Sequence, residues 1–576
     1  MDYAELAKLY ADVEATKKRL EKTYLIAQFL RSCSDAELER TILLLQARAF
    51  PSHEKETLGI ASKVMVKTLA ASLGMSEKFI EEQWVGSGDL GLVAKAHASK
   101  RTQQLLFRQP LTVKKVFDTL RKLASTEGTG STDTKVKLLS EIFSQADDTE
   151  ITYLVRTVLE DLRVGIAEGT LRDAIAQAFF PDDCAVNPTE EPKDRELYKA
   201  TIQRIQNAYD RTNDFARVAV LAKQGKDALA SVTLTIGVPV KVMLATREPT
   251  TEAAFARTGI PAQLEYKYDG FRVQIHKKGP EVTIFTRRLE NVTAAFPDLV
   301  DTVRKRITHD CILDGEANGI DPVTGHYVPF QQISQRIRRK YDIATVAKEL
   351  PMQLVVFDVL VWDNKEVLNK PQSERFELLQ SLITTNDRYL SLPIFRVANT
   401  VEEASTFFRE AKNAGCEGIM VKSRASVYRP GARVGDWVKQ KEVMENLDLV
   451  IVGGEWGEGK RGGWITSFTL ACKGDDGEYK EIGRVGTGLK ELPEEGLSFG
   501  EVTELLRPHI EYEQGRSIVI HPAVVVEVAY EEIQRSPSYN SGYALRFPRI
   551  LRNRTDERGP DDATALAYVE QLFAQQ

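Results

Sequence analysis

Cysteine is scarce in this sequence, and the few present are scattered. The five are Cys33, Cys184, Cys311, Cys416 and Cys472. None lies two to four residues from another, which excludes the CxxC pairs of a zinc ribbon and gives no disulfide framework. Reduced, mostly buried thiols are expected. The seven histidines form no HExxH pair, which argues against zinc-hydrolase chemistry. No apolar run approaches the roughly 20 residues that a bilayer span needs. The N-terminus, MDYAELAKLYADVEATKKRLEKT, is charged from its second residue and has no signal-peptide core. The expectation is a soluble, intracellular (cytoplasmic) chain without a membrane partner.

Positive charge is also in deficit, with a net charge of −6 over 576 residues. Binding uses local fields rather than whole-chain sums. Residues 100–122 hold Lys100, Arg101, Arg108, Lys114, Lys115, Arg121 and Lys122 against Asp118 alone. Residues 336–340 read RIRRK, and 546–558 hold Arg546, Arg549, Arg552, Arg554 and Arg558 against Asp556 and Glu557. A single cationic run is usually a solvated face. Separated basic segments in an acidic chain fit a phosphate-tracking surface.

The first 220 residues carry helical periodicity. Ile151, Leu154, Val155, Val158, Leu159 and Leu162 fall on one helical stripe. Leu171, Ala174, Ile175 and Ala178 repeat it after the Gly165–Gly169 break, with Gly169 or Thr170 as the expected cap. The polar stretch ASTEGTGSTDTK reads as a surface loop. From about residue 230 the apolar period becomes two: Phe271, Val273 and Ile275 alternate with Arg272, Gln274 and His276. Leu354–Phe357 and Val524–Val526 read as buried strands, with helices over 372–384 and 402–413. After about 446, glycine-rich turns and strands predict a small β-barrel. In Gly483–Gly488 a short glycine repeat without a following helix reads as a barrel turn, not a phosphate loop.

Lys267 opens Lys267-Tyr268-Asp269-Gly270, which alone is an ordinary turn with an exposed cation. Further residues change that reading. Leu313-Asp314-Gly315-Glu316 puts a carboxylate after a short apolar strand, and Phe357-Asp358 ends another apolar run. Glu417-Gly418-Ile419-Met420-Val421-Lys422 offers a carboxylate and a cation, and Asp436-Trp437-Val438-Lys439-Gln440-Lys441 alternates lysines on one strand face.

With these segments in this order, the sequence resembles the ATP-dependent DNA ligases of the covalent nucleotidyltransferase superfamily. The archaeal-type and eukaryotic replicative-like form is the nearest match. Around LVRTVLEDLRVGIAEGTLRDAIAQAF the helical half also resembles the family's DNA-binding domain. Ser538–Gly542 followed by Ala544-Leu545-Arg546-Phe547-Pro548-Arg549 resembles the ligase form of the family's last motif. The resemblance implies an all-α DNA-binding domain over 1–222, an α+β adenylation domain over 223–445 and an OB-fold domain over 446–576.

It also implies site roles. Lys267 would attack the α-phosphorus of ATP to give lysyl-AMP. A free lysine is neutral at roughly one part in 2,500 near pH 7, and neighbouring cations raise that fraction. Lys422 and Lys439 match family lysines and are the candidates for this and for neutralising phosphates. Glu265 would read adenine and Phe357 would stack on it. Arg272, Arg287 and Arg433 would hold ribose and phosphates. Glu316 and Glu417 would serve Mg²⁺, Glu316 also touching the ribose. Arg546 and Arg549 would orient the leaving pyrophosphate. AMP would pass to a 5′-phosphate at a nick in duplex DNA, and the 3′-hydroxyl would displace it.

One position departs from the family pattern: after Arg554-Thr555-Asp556 a lysine is usual, and here Glu557 precedes Arg558. Either Arg558 substitutes or the upstream arginines suffice. Gln103-Gln104-Leu105-Leu106-Phe107 resembles, without its second aromatic, the element by which such ligases dock on a sliding clamp. A monomer is expected. Capping guanylyltransferases and RNA ligases share Lys-x-Asp-Gly but lack the helical preface. NAD-dependent ligases carry a four-cysteine zinc site that this cysteine spacing excludes. A catalytically idle DNA- or clamp-binding scaffold would not need the full set of residue types.

Overall fold

A computed structural model describes residues 1–54, 56–99, 109–128, 130–184, 194–328, 330–337, 342–384, 387–442, 444–457 and 461–575. The chain divides into two compact units, Met1–Gln440 and Lys441–Gln576. No helix among the described residues is long and apolar enough to cross a membrane.

The first unit begins with helices that run from Tyr3–Ala15 to Lys226–Ala230 and share one apolar core from Tyr3 to Val232. The stripe predicted around Ile151 lies on the helix Asp148–Val158, opened by a capping box of Asp147 and Glu150. The helix stops at Val158, earlier than the pattern suggests, and left-handed Glu160 and Arg163 follow it. Every residue from Glu150 to Val158 is buried. The polar face is covered because buried Arg156 reaches Glu14 and Asp89, each at 2.8 Å. The next helix, Glu168–Phe179, is capped by Ala167, so Gly169 and Thr170 lie inside its first turn. The stretch ASTEGTGSTDTK is only partly loop, since the helix Ser131–Gln145 begins within it.

Two sheets follow. Their strands in chain order are β1 (Leu244–Arg247), β2 (Ala262–Lys267), β3 (Phe271–Lys278), β4 (Glu281–Thr286), β5 (Cys311–Gly319) and β6 (Met352–Trp362). Then come β7 (Lys365–Glu366), β8 (Leu390–Ser391), β9 (Phe395–Ala398), β10 (Gly418–Ser423) and β11 (Arg433–Lys441). One sheet has the order β1-β11-β10-β2-β9, and the other β4-β3-β5-β6-β7 with β8 beside β6. The predicted helices appear as Gln372–Leu382 and Val401–Asn413. In β3 both faces are buried, not one. His276 accepts a hydrogen bond from the Gly237 N–H at 2.9 Å, and Gln274 accepts one from Val240 N–H at 2.8 Å. The polar face therefore ties down the segment that leads out of the helices. Burial pushes His276 down to about 3, so the ring is neutral and can accept.

The second unit holds β12 (Leu447–Trp456), β13 (Ile465–Lys473), β14 (Tyr479–Val485), β15 (Ile510–Gln514) and β16 (Ser517–Ile520). It continues with β17 (Val525–Ala529), β18 (Glu532–Arg535), β19 (Tyr543–Arg546) and β20 (Arg549–Asn553). Strand β12 pairs with β17 through Leu447–Val450 and with β16 through Gly453–Glu455, so one long strand serves two neighbours. After β14, Gly488 has φ +103°, and a side chain there would collide with the Ile550 carbonyl. The glycine repeat thus marks a close crossing of strands.

Candidate active site

Lys267 is the last residue of β2 and Gly418 the first of β10, and the antiparallel register sets them opposite each other. The Glu417 N–H donates to the Lys267 carbonyl at 2.9 Å, and Glu417 Oε2 lies 2.6 Å from Lys267 Nζ. Beyond Lys267 the chain turns at Gly270, where a side chain would overlap Asn318 and the Ala317 carbonyl of β5. Glycine lets the lysine-bearing strand end press against the second sheet.

That sheet supplies Glu316 on β5, directly opposite Arg272 on β3. Burial, countered by Lys267 and reinforced by Glu417, lifts the Glu316 carboxyl to about 7. Burial pulls the Lys267 ammonium down, but Glu417 and Glu316 outweigh it, so its pKa is above the ordinary lysine value. The expected depression by nearby cations is therefore not found. Lys422 is committed elsewhere, its Nζ 2.6 Å from Glu265 Oε2 with both side chains buried. A cation spent on its own carboxylate exerts little field on Lys267.

Glu265 and Lys422 lie under two aromatic rings. Lys422 Nζ sits 4.7 Å from the Phe357 ring centre and 4.4 Å from that of Trp437. Gln263 donates to Glu265 Oε1 at 2.8 Å. Phe357 is only half-buried, unlike its neighbours Val355, Val356 and Val359 on β6. Asp358, next to it, is clamped by both arms of Arg375 at 2.8 and 2.9 Å, so it anchors β6.

Arg272 is equally committed. It grips Asp314 through Nε at 2.9 Å and through Nη2, donates to the Met243 carbonyl at 2.6 Å and contacts the Tyr428 hydroxyl. Its guanidinium faces Phe357 at 5.4 Å, so here it buttresses the aromatic. Arg287 and Arg433 are exposed. Burial, Arg272 and Arg433 lower the Arg287 pKa, with Glu316 opposing. Lys439 is half-buried on β11 opposite Arg247. Gln263, Trp437, Tyr428 and Arg375 were not singled out from the sequence. Trp437 had a signal, its place between Asp436 and Lys439; Tyr428 and Arg375 have none that is local.

Glu316 and Glu417 are the two carboxylates expected to serve a metal. Among the described residues no group of three or more His, Cys, Asp and Glu converges as a metal cage. The two carboxylates repel each other, as the raised Glu316 shows. A divalent ion drawing its other ligands from phosphate and water fits such a pair, and Mg²⁺ binds in this way.

In the second unit Arg546 pairs with Glu532 at 2.7 Å, and Phe547 is exposed with φ +50°. Arg549 is exposed. Glu557 lies 3.1 Å from Arg552 and 3.2 Å from Arg554, while Arg558 reaches Asp448 at 3.1 Å. The unusual glutamate is thus a local counter-charge, and Arg558 is already engaged. Other basic segments are also compensated: Lys114 pairs with Asp118, Lys115 with Glu141, and Arg336 is buried against Asp298. The phosphate-tracking surface expected of them is reduced accordingly. Gln103–Phe107 and most of RIRRK lie outside the described residues.

Family models match along the chain: "DNA ligase N terminus" over residues 2–176, "ATP dependent DNA ligase domain" over 242–441 and "ATP dependent DNA ligase C terminal region" over 461–557. A curated DNA ligase of Nanoarchaeum equitans is 43% identical, covering 100% of this chain and 99% of its own. A DNA ligase of Archaeoglobus fulgidus is 39% identical, covering 100% and 98%. A solved structure titled Pmar-Lig_PreS3 shares the fold at TM-score 0.56 and 17% identity, covering 95% of this chain and 99% of its own.

Proposed function

Because the chain belongs to the ATP-dependent DNA ligase family, we propose that Lys267 is the nucleophile through which it takes AMP from ATP. The enzyme seals nicks in duplex DNA. The observation that carries the assignment is the placement of Lys267 Nζ against Glu417, at a strand end beside Glu316.

In the first step the neutral Lys267 amine forms an N–P bond to the α-phosphorus, and the bond from that phosphorus to the pyrophosphate oxygen breaks. The ammonium proton must first pass to solvent, because Glu417, 2.6 Å away, holds it on the amine more tightly than in a free lysine. Glu265 and Lys422 meet the base edge, and Phe357 covers its face. Arg287, Arg433 and Lys439 meet ribose and phosphates; Arg272 holds Phe357 and Asp314 in place. Glu316 and Glu417 would hold Mg²⁺, which supplies charge neutralisation at the phosphates when bound. Arg546 and Arg549 would orient the departing pyrophosphate.

In the second step a DNA 5′-phosphate oxygen displaces Lys267 and a pyrophosphate bridge joins AMP to the strand. In the third, the 3′-hydroxyl attacks that 5′-phosphorus, AMP leaves and a phosphodiester forms. Positioning and charge serve all three. Such an enzyme acts in replication, repair and recombination. The working division is a DNA-binding domain over 1–222, an adenylation domain over 223–445 and an OB-fold domain over 446–576, acting as a cytoplasmic monomer. Docking on a sliding clamp through Gln103–Phe107 is tested by deleting that segment; unchanged clamp binding excludes it.

Incubation with α-labelled ATP and Mg²⁺ tests the central claim. Lys267 carries the label, and Lys267→Ala loses it while still binding nicked duplex. Label persisting in that variant refutes the assignment. Parallel reactions with ADP, GTP and NAD define nucleotide breadth.

A further inference from the structure

A cavity of about 530 Å³ lies within the first unit, where the helices meet the sheets. Its lining is cationic: Arg48 comes from the helical half, and Lys241, Arg287 and Arg288 come from the sheet region. Glu168 also lines it, but Lys241 already holds that carboxylate at 2.6 Å, and the Tyr209 hydroxyl donates to it at 2.9 Å. Among the described residues Arg48, Arg287 and Arg288 form no ion pair.

These guanidiniums are presented by structured backbone. Arg48 follows the helix Asp35–Leu45, and its N–H donates back to the Leu43 carbonyl at 3.0 Å past left-handed Ala47. Arg287 and Arg288 occupy the turn after β4, where Leu289 is left-handed and only 8% exposed. The buried leucine pins the turn while both arginines stay exposed. Three guanidiniums that line one cavity and form no ion pair are free to meet an anion there.

We propose that this cavity is a phosphate site in which Arg48 and Arg288 extend the reach of Arg287. It rests on the ligase reading of the cleft, and goes beyond it by giving the helical half a residue that meets the reacting strand or nucleotide. Two sources share the chemistry: a phosphodiester of the nicked duplex, and the pyrophosphate end of ATP. Guanidinium forks suit both.

The test uses the full chain, comparing Arg48→Ala, Arg288→Ala and the charge-retaining Arg48→Lys with wild type. One arm measures nicked-duplex Kd as a function of salt. The other measures the ATP dependence of Lys267 labelling and its inhibition by inorganic pyrophosphate. The alanine variants are expected to weaken about three- to tenfold in at least one arm, and Arg48→Lys to recover most of the loss. Loss in the duplex arm, with a salt slope lower by about one per arginine, assigns the phosphodiester. Loss in the nucleotide arm assigns the pyrophosphate end. Alanine variants matching wild type in both arms, with thermal unfolding unchanged, overturn the proposal. If wild type itself takes no label from ATP, the ligase reading fails separately, and the duplex arm still reads this site.

Discussion

Lys267 and Glu417 are tied twice, by a backbone hydrogen bond of 2.9 Å and by a side-chain ion pair of 2.6 Å. The first comes from strand register and the second from the residue that precedes β10. The Lys267 side chain is therefore oriented by the fold itself, and its proton is held more tightly than in a free lysine.

Glu417→Gln should loosen that proton. Of the influences raising the Lys267 pKa, Glu417 is the largest. In the variant, modification of Lys267 by an amine-directed reagent, followed by peptide mass spectrometry, is expected to begin at lower pH than in wild type. Stability follows the same sign: the ion pair contributes below the ordinary lysine pKa and is lost as pH rises through the elevated folded value. A modification profile that stays in place would exclude Glu417 as the controlling charge.

Glu316 makes a pH signature of the same sign in a lower window. Its folded value of about 7 lies above the reference 4.5, so folding favours the protonated form. Stability is highest below the reference value, declines as pH rises between the two values, and is flat above them; the decline is at most on the order of 3 kcal/mol. Glu316→Gln should remove the decline and unfold at higher temperature than wild type in mildly alkaline buffer, yet lose adenylation. Scanning calorimetry across the acid-to-neutral range reads it, and parallel wild-type and variant curves would count against it.

Asp358 and Arg375 form a buried bidentate pair, 2% and 0% exposed. Asp358→Asn leaves a buried guanidinium uncompensated and should cost about 3–5 kcal/mol. Replacing both partners with apolar residues of similar volume should recover most of that loss. A double-mutant cycle in urea measures the coupling; additive losses would show that the pair does not act as a unit.

Gly431 has φ +71°, and a side chain there would lie 2.7 Å from Asp210 Oδ1. Gly431→Ala combines backbone strain with a clash against a carboxylate only 6% exposed. The expected loss is on the order of 1–3 kcal/mol, read as a lower urea midpoint at constant slope. Gly325→Ala, also left-handed but with open space around it, separates strain from clash.

Much of this arrangement is legible in the residues themselves. Solid β-branched runs mark β6 and β17, and the apolar period marks the helices Gln372–Leu382 and Val401–Asn413. Lys267 closes β2, but Glu316 and Phe357 lie inside β5 and β6, which run past the ends that their apolar runs suggest. What is not legible depends on partners far away in the chain. Lys422 carries the same charge whether it meets phosphate or Glu265, and only the packing of β10 against β2 decides. Likewise Arg156 looks solvent-facing until Glu14 and Asp89 arrive from other helices. Basic runs overstate available charge for the same reason, as Glu557 and Arg558 show.

The pairing of Lys422 with Glu265 has a consequence for how a nucleotide enters. Exposure of charge increases in steps: the Lys422–Glu265 pair is 1% and 3% exposed, Lys267 and Glu417 are 20% and 18%, and Arg287 and Arg433 are at the surface. The floor and the middle are each an ion pair, neutral in sum, and the rim is cationic. A molecule with an uncharged aromatic head and a polyanionic tail has one low-energy orientation in such a field, head inward and tail at the rim. The cleft sorts its ligand by polarity before any single contact is made.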